Sequence, residues 1–308
     1  MKRVGIIGSG NVGANSAFFI AENHTASVTL VDAKEGLSIG KALDLSEAGP
    51  IRRYNTEIWG GNDIEAIRDS DIVVIAAGKV RAADQSRDDL YRDNMQLTMR
   101  ICEDIRRLAP NAVVLNVVEP VDMITLLVQK TLAFERTSVL GVGGLLSSTR
   151  LRYLVSHALG VSPREVTGMV VGPHRPCMVV LRDTVRVSGI PAEKLLSREQ
   201  FDAIVDKVRK AGDTILQLAQ HSTSYYAPSA AVAALAEAIV RDTKAILPVS
   251  FQLQGEYGLN DIAVSVPARI GARGVDQVVS VTMNEQEIRE FQSAADELRA
   301  SLRCVTPG

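Results

Sequence analysis

Three glycines, Gly8, Gly10 and Gly13, spaced GxGxxG, are the first residues whose type and spacing point to chemistry. Each would do a different job: Gly8 permits a tight turn, Gly10 lets backbone approach a pyrophosphate, and Gly13 lets a helix pack closely on a strand. Asn11 and Val12 follow and open a helix whose free N–H groups and positive dipole end would face phosphate. Asp32 lies about 20 residues further on, where a carboxylate accepts ribose hydroxyls and repels a 2′-phosphate, favouring NAD over NADP. The bare spacing also occurs in glycine turns that bind no dinucleotide. What makes it specific is its setting, strand, glycines, helix, strand and terminal acid within one unit of roughly 30 residues.

Other polar groups stand in loops or at an expected helix start. The run KVRAADQSR carries Arg81 and Arg87, six residues apart, and Arg150 is expected to begin the next domain's first helix in STRLR. The planar fork of arginine holds a carboxylate by two parallel hydrogen bonds. Of the four histidines, His24, His157, His174 and His221, only His174 lies in a loop between two strand-like runs, VVGPHRPCM. For any one of these residues a solvated surface charge or a satisfied core imidazole is the plainer reading.

The elements that must position them are those of an α/β chain. The β-branched run Arg3–Ile7, then 72–75, 112–118 and 139–142, alternate with helical patterns. In 88–108, Leu90, Leu97, Ile101, Ile105 and Leu108 form one apolar face that Pro110 terminates. This alternation predicts a doubly wound parallel sheet of Rossmann type with helices on both faces. The second half changes character: 166–171, 178–181 and 184–187 read as antiparallel strands. Helices are expected at 198–221 and 226–243, and 245–281 is a glycine-containing β section. A last helix is capped by Asn284, with Glu287 three residues on and Ile288, Phe291, Ala295, Leu298 and Leu302 as its stripe. The expected division is a cofactor domain, 1–143, followed by an α+β substrate domain, 144–308.

Composition narrows the class. With 308 residues, 46% apolar and 23% charged, the chain has ordinary globular usage and room for two domains. A net charge of -2 without a basic cluster argues against nucleic acid. Cys102, Cys177 and Cys304 are widely spaced, with neither CxxC nor zinc spacing, so no metal is expected and the reduced cytoplasm is the simplest compartment. The N-terminal apolar run breaks at Gly8, and no stretch approaches a membrane span of ~18 apolar residues.

The motifs GSGNVG, LVD, GKALDL, SRDDL, SYYAPSAA and EYGLNDI, spread along the whole chain, resemble the lactate/malate dehydrogenase family, on its lactate dehydrogenase-like malate dehydrogenase side. The resemblance implies a homodimer or homotetramer that exchanges hydride between NAD and a 2-hydroxy acid, in tricarboxylic acid cycle chemistry. It makes His174 the general acid/base, Arg87 the carbonyl polariser and Arg150 the clamp on the carboxylate beside the reacting carbon. Arg81 falls at the discriminating position, where arginine pairs with a second carboxylate, implying a small-molecule dicarboxylate such as malate or oxaloacetate. Ala77, Gly78, Asn94 and Val117 join the glycine turn as expected cofactor contacts, and the loop after Gly78 would close over substrate.

Several positions depart from the family pattern. GLLSSTR has Ser147 where an aspartate usually partners the histidine, and serine orients a ring without supplying charge. VVEPVD has Glu119 where asparagine is usual, a carboxylate that would repel an anionic substrate unless protonated or paired. HGD becomes HRPC, with Pro173 and Pro176 flanking Arg175, and the mobile loop reads AAD at 82–84. Glu119 reaching His174 would restore the charge that Ser147 lacks. The alternatives are an impaired NAD-binding relative with a sensing or assembly role, or a dehydrogenase for another carbonyl substrate. Cys177, three residues after His174, reads as a small buried residue more readily than as a nucleophile.

Overall fold

A computed structural model describes residues 2–82, 85–220 and 223–305. Ala83 and Asp84 of the AAD run, and His221, lie outside the described residues.

Six parallel strands form the centre: β1 (Arg3–Ile7), β2 (Ser27–Val31), β3 (Ile58–Gly61), β4 (Ile72–Ile75), β5 (Val113–Asn116) and β6 (Val139–Gly141), in the order β3-β2-β1-β4-β5-β6. All four residues of β4 and of β5 are buried, as continuous β-branched runs covered on both faces should be. The chain leaves β1 towards β2 and returns to β4 on the other side. This reversal opens a crevice beyond the carboxyl ends of β1 and β4.

Helices α1 (Asn11–Glu22), α2 (Leu37–Arg52), α3 (Arg87–Leu108) and α4 (Val121–Leu132) cross between these strands. Ser86 caps α3 by accepting the Asp89 amide; Asp88 and Asp89 in the first turn and Arg106 and Arg107 in the last complement its dipole. The expected stripe holds at Leu90, Ile101, Ile105 and Leu108, but Leu97 is exposed. α2, β3 and α4 have no counterpart in the sequence reading. α4 is buried round most of its circumference, and α2 leaves Ile39, Leu43 and Ile51 exposed, so neither shows a single apolar stripe.

The second half runs α5 (Gly143–Leu159), β7 (Val166–Val171), β8 (Val179–Val187), β9 (Ile190–Pro191), α6 (Arg198–Ala219), α7 (Tyr226–Val240), β10 (Ile246–Gln254), β11 (Asn260–Gly271), β12 (Gly274–Val278) and α8 (Glu285–Val305). β7, β8 and β9 form a separate antiparallel sheet with its own core against α5 and α6, around Leu151, Val185 and Phe201. The runs 178–181 and 184–187 are one strand, β8. The β section 245–281 does not stand apart: Ser250 of β10 pairs antiparallel with Gly141 of β6, so β10, β11 and β12 extend the parallel sheet to nine strands. In α8 the Asn284 side chain accepts the Glu287 amide and Glu287 accepts that of Asn284, each at 2.9 Å, while Ile288 of its expected stripe is exposed.

The two halves lock together where α7 lies on α1, with the Ser229 hydroxyl 2.9 Å from the Val12 carbonyl oxygen. The glycine turn between β1 and α1 is built by contact. Gly8 has φ +102°, and a Cβ on Gly13 would stand 1.8 Å from the Gly8 oxygen, whereas one on Gly10 would meet nothing within 4 Å. Gly13→Ala is therefore expected to cost about 1–3 kcal/mol of folding stability by overpacking. Gly10→Ala should stay within about 0.5 kcal/mol of the parent and lose NADH affinity. Denaturant unfolding alongside an NADH fluorescence titration separates the two.

Candidate active site

The cofactor end follows directly from the turn. Gly10 is the N-cap of α1 and brings no side chain to its amides, and no acid occupies the first turn. Asp32, just past β2, is pinned by the Ser9 amide at 2.7 Å and the Lys34 amide at 2.9 Å. A carboxylate held at the strand end beside an open, positive helix start suits a ribose and a pyrophosphate together. The space above Gly10 fits the same group, since only there in the turn is there room beside the backbone. Val12, Gly78 and Val117 line the adjoining cleft, and a Cβ at Gly78 would approach Val118 to 2.6 Å. Ala77 packs under the turn, its amide 2.5 Å from where a Gly8 Cβ would stand.

Asn94, expected among the cofactor contacts, is fully buried and stands behind the cleft. Its side-chain oxygen accepts the Lys79 amide at 2.7 Å, and its nitrogen donates to the Glu119 carbonyl at 2.9 Å. Its polar atoms are spent on bracing the loop after β4 against the loop after β5.

His174 sits in the turn after β7, 9% exposed, on the cleft wall. Three residues from two helices hold it. Ser147, from α5, lies 2.9 Å from Nδ1. Asp122, in the first turn of α4, accepts the His174 backbone amide at 2.6 Å. Gly143 begins α5 against the imidazole, where a Cβ would stand 2.7 Å from the His174 Cβ. Glu119, from the loop before α4, places Oε1 3.6 Å from Nε2, while its other oxygen accepts the Val121 amide at 3.1 Å. The carboxylate and the hydroxyl thus take opposite edges of the ring.

Burial presses the imidazole down to about 4; Glu119 opposes this, and Arg150 and Arg87 push the same way. Burial likewise raises the Asp122 carboxyl to about 6, against the pull of the His174 amide. Neither Asp122 nor Gly143 was singled out from sequence. Asp122 lies in VVEPVD, three residues after Glu119, and an acid two positions after Pro120, as at a helix start, is the signal that the sequence offers.

The arginines converge on the same cleft from separate elements: Arg81 from the loop after β4, Arg87 from the first turn of α3, Arg150 from α5. Arg150 is not at the start of its helix, as STRLR suggested. It lies in the middle of α5, one turn beyond Ser147 on the same side, because α5 begins at Gly143. Burial lowers the Arg150 guanidinium, and Glu119 and Asp213 act against that. Asp213, from α6, had no motif to mark it. It pairs with Arg81 and lies 3.9 Å from Arg87.

Arg175, beside His174 and also on the cleft lining, donates to Ser301 at 2.9 Å and faces Asp88 at 3.4 Å; it ties the turn to α8 and α3. Burial pushes the Cys177 thiol up to about 11, which removes it from thiolate chemistry near neutrality.

The family model described as lactate/malate dehydrogenase, NAD binding domain, matches residues 2–141, and that for the alpha/beta C-terminal domain matches 145–307. The chain is 40% identical over 303 residues to a malate dehydrogenase of Roseiflexus sp. strain RS-1, covering 98% of each. Its fold is similar to the crystal structure of Cryptosporidium parvum malate dehydrogenase, with TM-score 0.96 and 30% identity over 99% of this chain and 98% of that one. It is also similar to the lactate dehydrogenase of that organism complexed with lactic acid and nicotinamide adenine dinucleotide, with TM-score 0.95, 29% identity and 99% of each chain covered.

A histidine held neutral by burial costs stability in acid. The unfolded chain takes up a proton near 6.5 and the folded site only near 4, so the unfolded state binds more protons between those values and stability falls as pH falls. The full loss is on the order of 3 kcal/mol. Asp122 runs the other way between 3.8 and about 6, losing stability as pH rises. His174→Gln removes only the histidine contribution. Unfolding free energies measured from pH 7.5 to 4.5 are expected to shift in favour of the variant, relative to the parent, as pH falls; parallel curves would show that the ring is not held neutral.

Proposed function

The chain belongs to the lactate/malate dehydrogenase family, and from its site we propose that it interconverts malate and oxaloacetate with NAD, His174 being the group that moves the proton. The observation that carries this is the placement of Nε2, facing a cleft lined by Arg81, Arg87 and Arg150, while Ser147 occupies Nδ1. NAD, held by the glycine turn, Asp32, Gly78 and Val117, supplies the hydride acceptor. In oxidation His174 Nε2 takes the proton of the C2 hydroxyl. In the reverse direction it returns that proton to the carbonyl oxygen. Arg150 holds the carboxylate next to C2 by its planar fork, Arg87 polarises the oxygen, and Arg81 receives the distal carboxylate. Burial of this cleft strengthens each of these interactions by thinning the water around them.

Ser147 and Glu119 divide the work of the missing aspartate. The hydroxyl orients the ring, and the carboxylate, 3.6 Å from Nε2, stabilises the imidazolium formed in oxidation. None of the comparisons favours the non-catalytic alternative.

We further infer a cofactor domain over 1–143 and a substrate domain over 144–308, supported by the limits of the two matched family models. A homodimer or homotetramer is supported by α2, on which Ile39, Leu43 and Ile51 are 53%, 59% and 83% exposed, an apolar face that a second copy would cover. Free cysteines suit the cytoplasm, where malate and oxaloacetate belong to the tricarboxylic acid cycle. Among the described residues no helix is long and apolar enough to cross a membrane.

The test is steady-state NADH oxidation with oxaloacetate and a panel of other 2-keto acids, beside an NADH-binding titration. Oxaloacetate is expected to turn over; tight NADH binding without turnover on any acid overturns the proposal. Glu119→Gln is expected to lower kcat about 100-fold and Ser147→Ala about tenfold, since one removes charge from the reacting edge and the other only an orienting contact. Equal, small effects would remove the division of roles.

A further inference from the structure

The feature that the proposed reaction leaves unused is Asp213. It projects from α6 into the cleft, pairs with Arg81 and reaches to 3.9 Å from Arg87. The pair is half-shielded, Arg81 being 20% and Asp213 37% exposed, so water does not fully quench it. The backbone of α6 is close enough that a Cβ on the neighbouring Gly212 would come within 3.8 Å of an Arg150 nitrogen. Asp213 therefore stands inside the ring of arginines rather than on an outer surface. Its carboxylate occupies the one guanidinium assigned to the substrate's distal carboxylate.

We propose that Asp213 is a specificity-determining residue, an internal counter-ion that the distal carboxylate of a dicarboxylate must displace from Arg81. This rests on the reading of Arg81 given under Proposed function. Two carboxylates cannot share one guanidinium without repelling each other, and the incoming one must also part a charge-assisted pair. A 2-keto monocarboxylate, held through its single carboxylate by Arg150, leaves the Arg81–Asp213 pair untouched. Asp213 thus narrows the preference for dicarboxylates that Arg81 alone would impose. Specificity is the difference between two affinities, and a built-in competitor at Arg81 lowers the affinity for a dicarboxylate more than that for a monocarboxylate.

The expected consequence is selective. In Asp213→Asn, the KM for oxaloacetate falls about tenfold and that for pyruvate by less than about threefold, because Asp213 pairs with Arg81 and acts on Arg150 only through its field. Asp213→Glu, which keeps the charge, returns the oxaloacetate-to-pyruvate ratio towards that of the parent. Equilibrium binding to the NADH complex is read in parallel by fluorescence, with hydroxymalonate as the unreactive dicarboxylate and oxamate as the monocarboxylate. Hydroxymalonate affinity rises in Asp213→Asn by a larger factor than oxamate affinity. An unchanged or weaker hydroxymalonate affinity in Asp213→Asn, with the unfolding midpoint and NADH affinity of the parent, overturns the proposal, since Asp213 would then merely hold Arg81 in place. Absence of oxaloacetate turnover in the parent is a separate failure, that of the proposed reaction. The binding arm decides on Asp213 whichever way that assay falls.

Discussion

An imidazole with almost no water around it is the constraint on which the site depends. His174 is 9% exposed, and Arg150 and Arg87 add positive charge to what burial already does, so the ring is held neutral. A neutral ring is a base, the form that alcohol oxidation requires. The arginines that disfavour its protonation are the groups assigned to the anionic substrate. Binding a carboxylate neutralises part of their field and raises the affinity of Nε2 for a proton once a reactant is in place. Proton affinity and substrate occupancy are coupled without any moving part.

The α/β framework makes this coupling possible by delivering side chains from loops that share one edge of the sheet. β1 gives the glycine turn, β4 the loop with Arg81, β5 the loop with Glu119, and β6 leads into α5 with Gly143, Ser147 and Arg150. Parallel strands place all their following loops at their carboxyl ends, and the reversal of strand order between β1 and β4 leaves the crevice in which a dinucleotide can lie. The antiparallel half completes the cleft from the other side, with His174 from the β7–β8 turn and Asp213 from α6. Its strands β10, β11 and β12 continue the first sheet, and a bridge from Gly172, just before the His174 turn, to Ser265 of β11 ties the second wall to that layer.

What could be read from the sequence was what is local. The run from Arg3 to Asp32 carries strand, turn, helix and acid within one stretch, and each glycine has its own steric reason, two of which the structure displays as contacts at Gly8 and Gly13. The strand 72–75 and the cap at Asn284 were equally local. The pairing of Ser147 with His174 was legible only because a family pattern says which two segments meet. Asp213 and Arg81 are 132 positions apart and carry no motif, so nothing short of the fold brings them together. Leu97 fits the helical period yet faces solvent, because periodicity assigns a face and not the breadth of the surface that covers it. Asn94 is fully buried and hydrogen-bonded to the Glu119 carbonyl, a pairing across 25 positions that no local pattern shows.

The exchange of an aspartate for Ser147 gains its meaning from which edge of the ring each partner touches. A carboxylate at Nδ1 would orient the imidazole and stabilise its cation from behind, out of reach of substrate. Here the negative charge stands at Nε2, on the edge proposed for proton transfer. Glu119 therefore assists the imidazolium and repels the anion that must approach it. The surrounding arginines offset that repulsion, and Asp213 draws on the same positive charge at the far end of the cleft. Relative to a histidine backed by a buried aspartate, the negative charge has moved from behind the ring to its front. Charge at the front is tolerable only beside compensating positive charge, so Arg87 and Arg150 act as a unit with Glu119, and the loss of either changes the proton affinity of His174.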